Sequence, residues 1–181
     1  MRSDGPVPAP PVKRMGVFID ADNLNDATAL DHVFTTQQKR KDRIVYKRAY
    51  GRTESLRAIE PVLWRHGVRP VANMVVNKVT TDSALVIDVV EAVCSGVIDA
   101  FALCSGDADF VPLATWAREK GCQVLCFSLS DRIFANPESF YDDVVLLEVE
   151  DTVTTQEEAA AAIAAASRNP ALVTRQAPMR S

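Results

Sequence analysis

Aspartates recur at one kind of place in this chain: directly after short apolar runs. Met15-Gly16-Val17-Phe18-Ile19 ends at Asp20-Ala21-Asp22-Asn23, and Ala102-Leu103-Cys104 breaks at Ser105-Gly106 into Asp107 and Asp109. A further acid, Asp82, follows Lys78-Val79-Thr80-Thr81 at the head of an apolar-periodic stretch. Carboxylate oxygens are hard ligands suited to Mg²⁺ or Mn²⁺. Crowded together without a cation they raise one another's pKa. With one, the site can lower the pKa of a water and neutralise charge on a phosphoryl group. Asp20, Asp82, Asp107 and Asp109 are therefore candidate metal ligands, and Asn23 is placed to hydrogen-bond a phosphate or orient a carboxylate. One Asp at such a turn is an ordinary helix N-cap; four converging on one edge are better explained by a metal. Asp22 is read as pointing away or supporting a ligand. Asp88 lies about 600° around a helix from Asp82, so a salt bridge is its expected use.

The elements that must position these acids follow from periodicity. Short apolar runs at Met15–Ile19, Ile44–Tyr50, Val68–Val76, Asp99–Ser105, Cys122–Phe127 and Val144–Leu147 read as strands. Helical spacing appears over Leu24–Gln38 and from Thr53 or Glu54 to Gly67, the latter with Leu56, Ile59, Leu63 and Trp64 inward. It recurs over Asp82–Ser95, with Thr81 or Asp82 as N-cap, and over Asp107–Lys120 with Gly121 as its stop. Lys78–Asp82 reads as a loop, and Pro137–Tyr141 as a short helix. Strands alternating with helices imply an α/β fold with a mostly parallel sheet covered on both faces, its strand ends gathered on one edge. Residues 1–13 read as a disordered leader, 14–149 as the domain, and 150–181 as an Ala-rich helical or disordered tail.

Composition narrows the function. The formal net charge is −4, yet residues 39–57 hold eight basic side chains against Asp42 and Glu54. A basic flank beside an acidic metal edge suits a polyphosphate substrate; Arg48 and Arg52, with Lys78, are its candidate phosphate contacts. No apolar run approaches a membrane span, and residues 1–13 have no apolar signal region, so a cytoplasmic protein is expected. The four cysteines lack CxxC spacing and read as reduced, mostly buried thiols. His32 and His66 have no metal-ligand spacing. Ser105 lacks a nucleophile-elbow context, and no Walker A or dinucleotide fingerprint is present.

Three stretches together resemble one family. Phe18-Ile19-Asp20-Ala21-Asp22-Asn23, Asn77 to Asp88, and Ser105-Gly106-Asp107-Ala108-Asp109-Phe110-Val111-Pro112-Leu113 are similar to the NYN domain, LabA-like branch, over roughly residues 14–149. Gly121 to Phe127 resembles that branch's strand after the helix. The resemblance implies a PIN-like, Rossmann-like three-layer α/β/α sandwich and metal-dependent cleavage of RNA. It assigns Asp20, Asp82, Asp107 and Asp109 as ligands with Asn23 beside them, and makes Asp88 a recurrent acidic position. Gly51-Arg52 stands where many relatives have Gly-Asp, which makes the rim more basic. Relatives often carry a C-terminal winged-helix module, for which only about 30 residues remain here.

The expected activity is hydrolysis of RNA phosphodiester bonds at an aspartate-bound Mg²⁺ or Mn²⁺, with RNA as partner and pairing into a homodimer open. Two rivals accompany it. One is an RNA- or protein-binding scaffold on the same fold. The other is a haloacid dehalogenase-type phosphatase, suggested by Asp20-Ala21-Asp22 and Gly106-Asp107; Val111 stands where that pattern wants a second carboxylate.

Overall fold

Alternate residues of the first strand go to opposite faces of the sheet, as the two-residue period of a strand requires. In the computed structural model, Arg14–Asp20 forms β1. Val17 and Ile19 join one apolar cluster, and Phe18 joins the other. The structure describes residues 11–74, 78–149, 160, 161 and 164. The chain divides into two units, Met1–Val149 and Glu150–Ser181. The sheet and its helices lie in the first; of the second, Ala160, Ala161 and Ala164 are helical.

After β1 come α1 (Ala27–Lys39), β2 (Arg43–Gly51), α2 (Thr53–Ala58), α3 (Glu60–Arg65), β3 (Arg69–Ala72) and α4 (Lys78–Cys94). Then follow β4 (Ala100–Cys104), a 3-10 turn (Ala108–Phe110), α5 (Val111–Glu119), β5 (Gln123–Leu129), a second 3-10 turn (Pro137–Ser139) and β6 (Asp143–Leu147). The six strands are ordered β3-β2-β1-β4-β5-β6 and every pairing is parallel. Leu30, Val33, Phe34, Leu56 and Val62 cover one face, and Leu85, Val89, Phe110, Leu113 and Ala117 the other. This is the three-layer α/β/α arrangement expected from the alternation of elements. Strand order reverses between β1 and β4, which register from Met15 on Ala100 to Ile19 on Cys104. In open α/β sheets a crevice forms beyond the strand ends at that switch point.

Several boundaries differ from expectation. The helix after β1 starts at Ala27, because Asp26 caps it by accepting from the Ala29 N–H at 2.7 Å. The single helix expected over residues 53–67 is two. Pro61 has no N–H to donate to the Arg57 carbonyl four residues back, and the chain breaks at Ile59. That break leaves Trp64 outside the core: it is 89 % exposed rather than inward. β3 ends at Ala72; the expected continuation to Val75 and Val76 lies outside the described residues. Lys78 to Asp82 is the opening of α4, not a loop, so neither Thr81 nor Asp82 is an N-cap. Thr81 is buried and accepts a hydrogen bond from the Asn73 amide at 3.2 Å, which draws this turn into the helix. Asp107 caps the 3-10 turn that precedes α5, so the helix expected from 107 begins at Val111. All four cysteines are free thiols. Cys104, Cys122 and Cys126 are buried, while Cys94 is exposed.

Candidate metal centre

The site begins where β1 runs out of apolar residues. The Asp20 carbonyl accepts from the N–H groups of Asn23 at 3.1 Å and Leu24 at 2.8 Å, and Leu24 is buried as the anchor of that turn. The Asp20 side chain therefore stays in the crevice between β1 and β4, 1 % exposed. Its Oδ2 accepts from the Ser105 hydroxyl at 2.9 Å, whereas Oδ1 is buried with no hydrogen-bond partner among the described residues. Burial pushes the carboxyl up to about 6; the Ser105 hydrogen bond and, more weakly, the Asn23 backbone N–H oppose this, and the charges of Asp82 and Asp22 reinforce it. A buried carboxylate oxygen without a donor is costly. A cation beside it would remove that cost.

The opposite wall is the Ser105-Gly106-Asp107 turn after β4. Ser105 Oγ also accepts from the Asp107 N–H at 3.2 Å, so one hydroxyl ties the buried acid to the next one. The Gly106 N–H donates to Asn23 Oδ1 at 3.1 Å. Asp107 Oδ1 accepts from the Asp109 N–H at 3.0 Å, which turns the chain so that both acids face the same edge. The first turns of α4 reach this edge because α4 follows the C-terminal end of β3. One carboxylate oxygen from each of Asp82, Asp107 and Asp109 lies within 4.8 Å of the others. Two oxygens sharing a cation at about 2.1 Å can be no more than ~4.2 Å apart, so small rotations of these partly exposed side chains would close the set. The donor chemistry fits Mg²⁺ or Mn²⁺: oxygen ligands, no thiol and no imidazole.

The other acids and cations divide between this edge and the scaffold. Asp88 accepts from Arg48 and from the Tyr50 hydroxyl, each at 2.6 Å, and Arg48 also sits 4.4 Å from the Tyr46 ring centre. Arg48, expected on phosphate, is thus held in an ion pair of the scaffold. Asp22 accepts from the Arg52 N–H at 3.0 Å, with the guanidinium 3.6 Å away. Arg52 remains more than half exposed at the rim. Arg40 pairs with Asp143, and Lys47 donates to the His66 carbonyl at 2.5 Å. Part of the expected basic flank is therefore spent inside the fold. Lys78 is the first residue of α4.

Two residues escaped the sequence reading. In the sequence Ser105 reads only as a nucleophile without its elbow, whereas in the structure it joins Asp20 to Asp107. Arg132, in the segment after β5, donates to the Asn23 carbonyl at 2.7 Å, and the Phe134 N–H donates to the Gly106 carbonyl at 3.3 Å. Arg132 is exposed at the edge that holds the acids. The only available signal was its place just past a strand end.

Comparison with known proteins agrees with this architecture. The NYN domain family model matches residues 14–145. No curated protein matches the chain. Among solved structures, the protein of unknown function VPA0982 from Vibrio parahaemolyticus RIMD 2210633 superposes with a TM-score of 0.62 at 17 % identity. The match covers 82 % of this chain and 97 % of that one. At that identity the likeness is one of fold. With the family model spanning the whole sheet, from the first residue of β1 to the middle of β6, the chain belongs to the NYN domain family of the PIN-like nuclease superfamily.

Proposed function

We propose that this NYN domain is a metal-dependent ribonuclease that hydrolyses RNA phosphodiester bonds at the edge between β1 and β4. The observation that carries the reading is the cluster of Asp82, Asp107 and Asp109 beside a buried Asp20 whose Oδ1 has no partner among the described residues. Asp82, Asp107 and Asp109 would hold Mg²⁺ or Mn²⁺, with Asp20 completing or backing the set. Bound there, the cation supplies an activated water and neutralises charge on the phosphoryl group.

The protein's own residues prepare this edge. Ser105 keeps Asp20 and the Asp107 turn in one arrangement. Asn23 fixes the Gly106 backbone through its side chain and Arg132 through its carbonyl, so this residue organises the rim. Arg52 and Arg132, both exposed, are suited to phosphates that flank the scissile bond, which makes RNA binding salt-dependent. The phosphatase rival asks Asp20 itself to attack phosphorus. Its 1 % exposure and its bond to Ser105 work against that role.

The test uses labelled single-stranded RNA with Mn²⁺, Mg²⁺ or chelator, for the wild-type chain and for Asp107→Asn. Metal-dependent cleavage that disappears in the variant is the expected result. Cleavage that survives chelation, or that persists in Asp107→Asn, removes this site from the chemistry.

A further inference from the structure

A groove of about 1150 Å³ lies between the α2–α3 pair and β3. Thr53, Arg57, Glu60, Pro61, Trp64, Arg69 and Ala72 are among the residues that line it. Trp64 is 89 % exposed there, an unusual place for an indole. Arg57 and Arg69 are exposed on the same groove and form no ion pair among the described residues. At one end, Thr53 opens α2 two residues past the C-terminal end of β2, and Ala72 is the last residue of β3. Arg52, next to Thr53, is the residue held by Asp22. The groove therefore opens on the same sheet edge as the candidate metal centre.

An open aromatic face in a groove where two guanidinium groups outnumber one carboxylate, that of Glu60, meets the two needs of a single nucleic-acid strand: a stacking surface for bases and cations for phosphates. A protein strand is a poorer occupant. β3 is a sheet edge, but it has four residues, one of them Pro70, which offers no N–H, and another Arg69. Proline and charge are what blunt an edge against strand addition. We infer that this groove is a path for single-stranded RNA, with a base stacked on Trp64 and phosphates on Arg57 and Arg69, leading the strand to the acidic edge. The inference rests on the ribonuclease reading and extends it to the substrate: an unpaired strand long enough to run past the cutting point.

The test measures binding of a fluorescein-labelled single-stranded RNA of about a dozen nucleotides by anisotropy, and cleavage of the same RNA, for the full chain and for Trp64→Ala. The exposed indole can be removed without opening the core, and circular dichroism checks this. Affinity in Trp64→Ala is expected to fall about tenfold, the order of one lost base stack, with the loss appearing in KM and with Trp64→Phe close to wild type. Removing Arg57 and Arg69 should reduce the slope of log affinity against log salt by about 0.7 each. Equal affinity for wild type and Trp64→Ala overturns the inference, while cleavage by the wild type leaves the ribonuclease reading standing. A wild-type protein that neither binds nor cleaves RNA brings down both. A dimer that Trp64→Ala dissociates without changing RNA affinity assigns the groove to a second copy instead, and also overturns it.

Discussion

The Ser105 hydroxyl donates to Asp20 at 2.9 Å while accepting from the Asp107 N–H at 3.2 Å, so one side chain couples the ends of β1 and β4. Ser105→Ala removes both bonds at once. Groups that orient metal ligands typically contribute ten- to hundredfold in affinity. Ser105→Ala should therefore bind Mn²⁺ about tenfold or more weakly, measured by titration calorimetry, while retaining its circular dichroism spectrum. Unchanged Mn²⁺ affinity would show that Asp20 and Asp107 are held without it.

Asp20 predicts a pH dependence that needs no activity assay. Its native carboxyl titrates near 6 against an ordinary 3.8. The native state thus holds a proton that the unfolded chain has lost between those values, and stability falls as pH rises through them. The fall is about 3 kcal/mol, from roughly 1.4 kcal/mol per pH unit. In chelator, the wild type should be markedly more stable near pH 4.5 than near pH 7, and Asp20→Asn should lose that difference and exceed the wild type at neutral pH. Mn²⁺ should then stabilise the wild type by mass action, and Asp20→Asn by less. Denaturant melts at the two pH values decide it; a wild type equally stable at both would contradict the assigned burial cost.

Gly106 is required by packing, not by its dihedral freedom. A Cβ placed on it would lie 2.3 Å from the Arg132 carbonyl oxygen and 2.3 Å from Ser128 Oγ. The first is backbone and cannot simply rotate away. Gly106→Ala should push the segment bearing Arg132 and Phe134 off the Asn23 and Gly106 carbonyls, at a cost of about 3 kcal/mol or more. Urea unfolding measures the loss, and a wild-type midpoint would mean that this segment yields freely.

The legible part of the site is the part written along strands. Apolar runs ending in Asp20 and in Ser105-Gly106-Asp107 place acids at strand ends whatever the neighbours do, and the alternation of elements sends those ends to one edge. What could not be read depends on contacts between distant segments. Nothing local marks Arg132 as the partner of Asn23, 109 residues away in sequence. Thr81-Asp82 looks like a cap because its side chains suit one; the helix begins earlier, at Lys78, with Thr81 buried and hydrogen-bonded to Asn73. A helical count that runs on through Ile59 places Trp64 inward, but α2 ends there and α3 starts anew at Glu60. Asp88 shows the converse: its helical angle from Asp82 pointed to a salt bridge, and it holds Arg48.

Gln37 offers a stability prediction independent of function. It is fully buried on α1, and neither its Oε1 nor its Nε2 has a hydrogen-bond partner among the described residues. An amide buried without partners costs about 1–3 kcal/mol, and Gln37 lies in the last turn of α1, whose Leu30, Val33 and Phe34 belong to the apolar core. Gln37→Met keeps the length and flexibility of the side chain, replaces the amide with a thioether and methyl, and retains high helix propensity. It should raise stability by about 1–3 kcal/mol, read as a higher urea midpoint at unchanged m-value, with Mn²⁺ affinity unaltered. A destabilised Gln37→Met would mean that an ordered water satisfies the amide in solution, and that this polar site is part of the core's design rather than a defect in it.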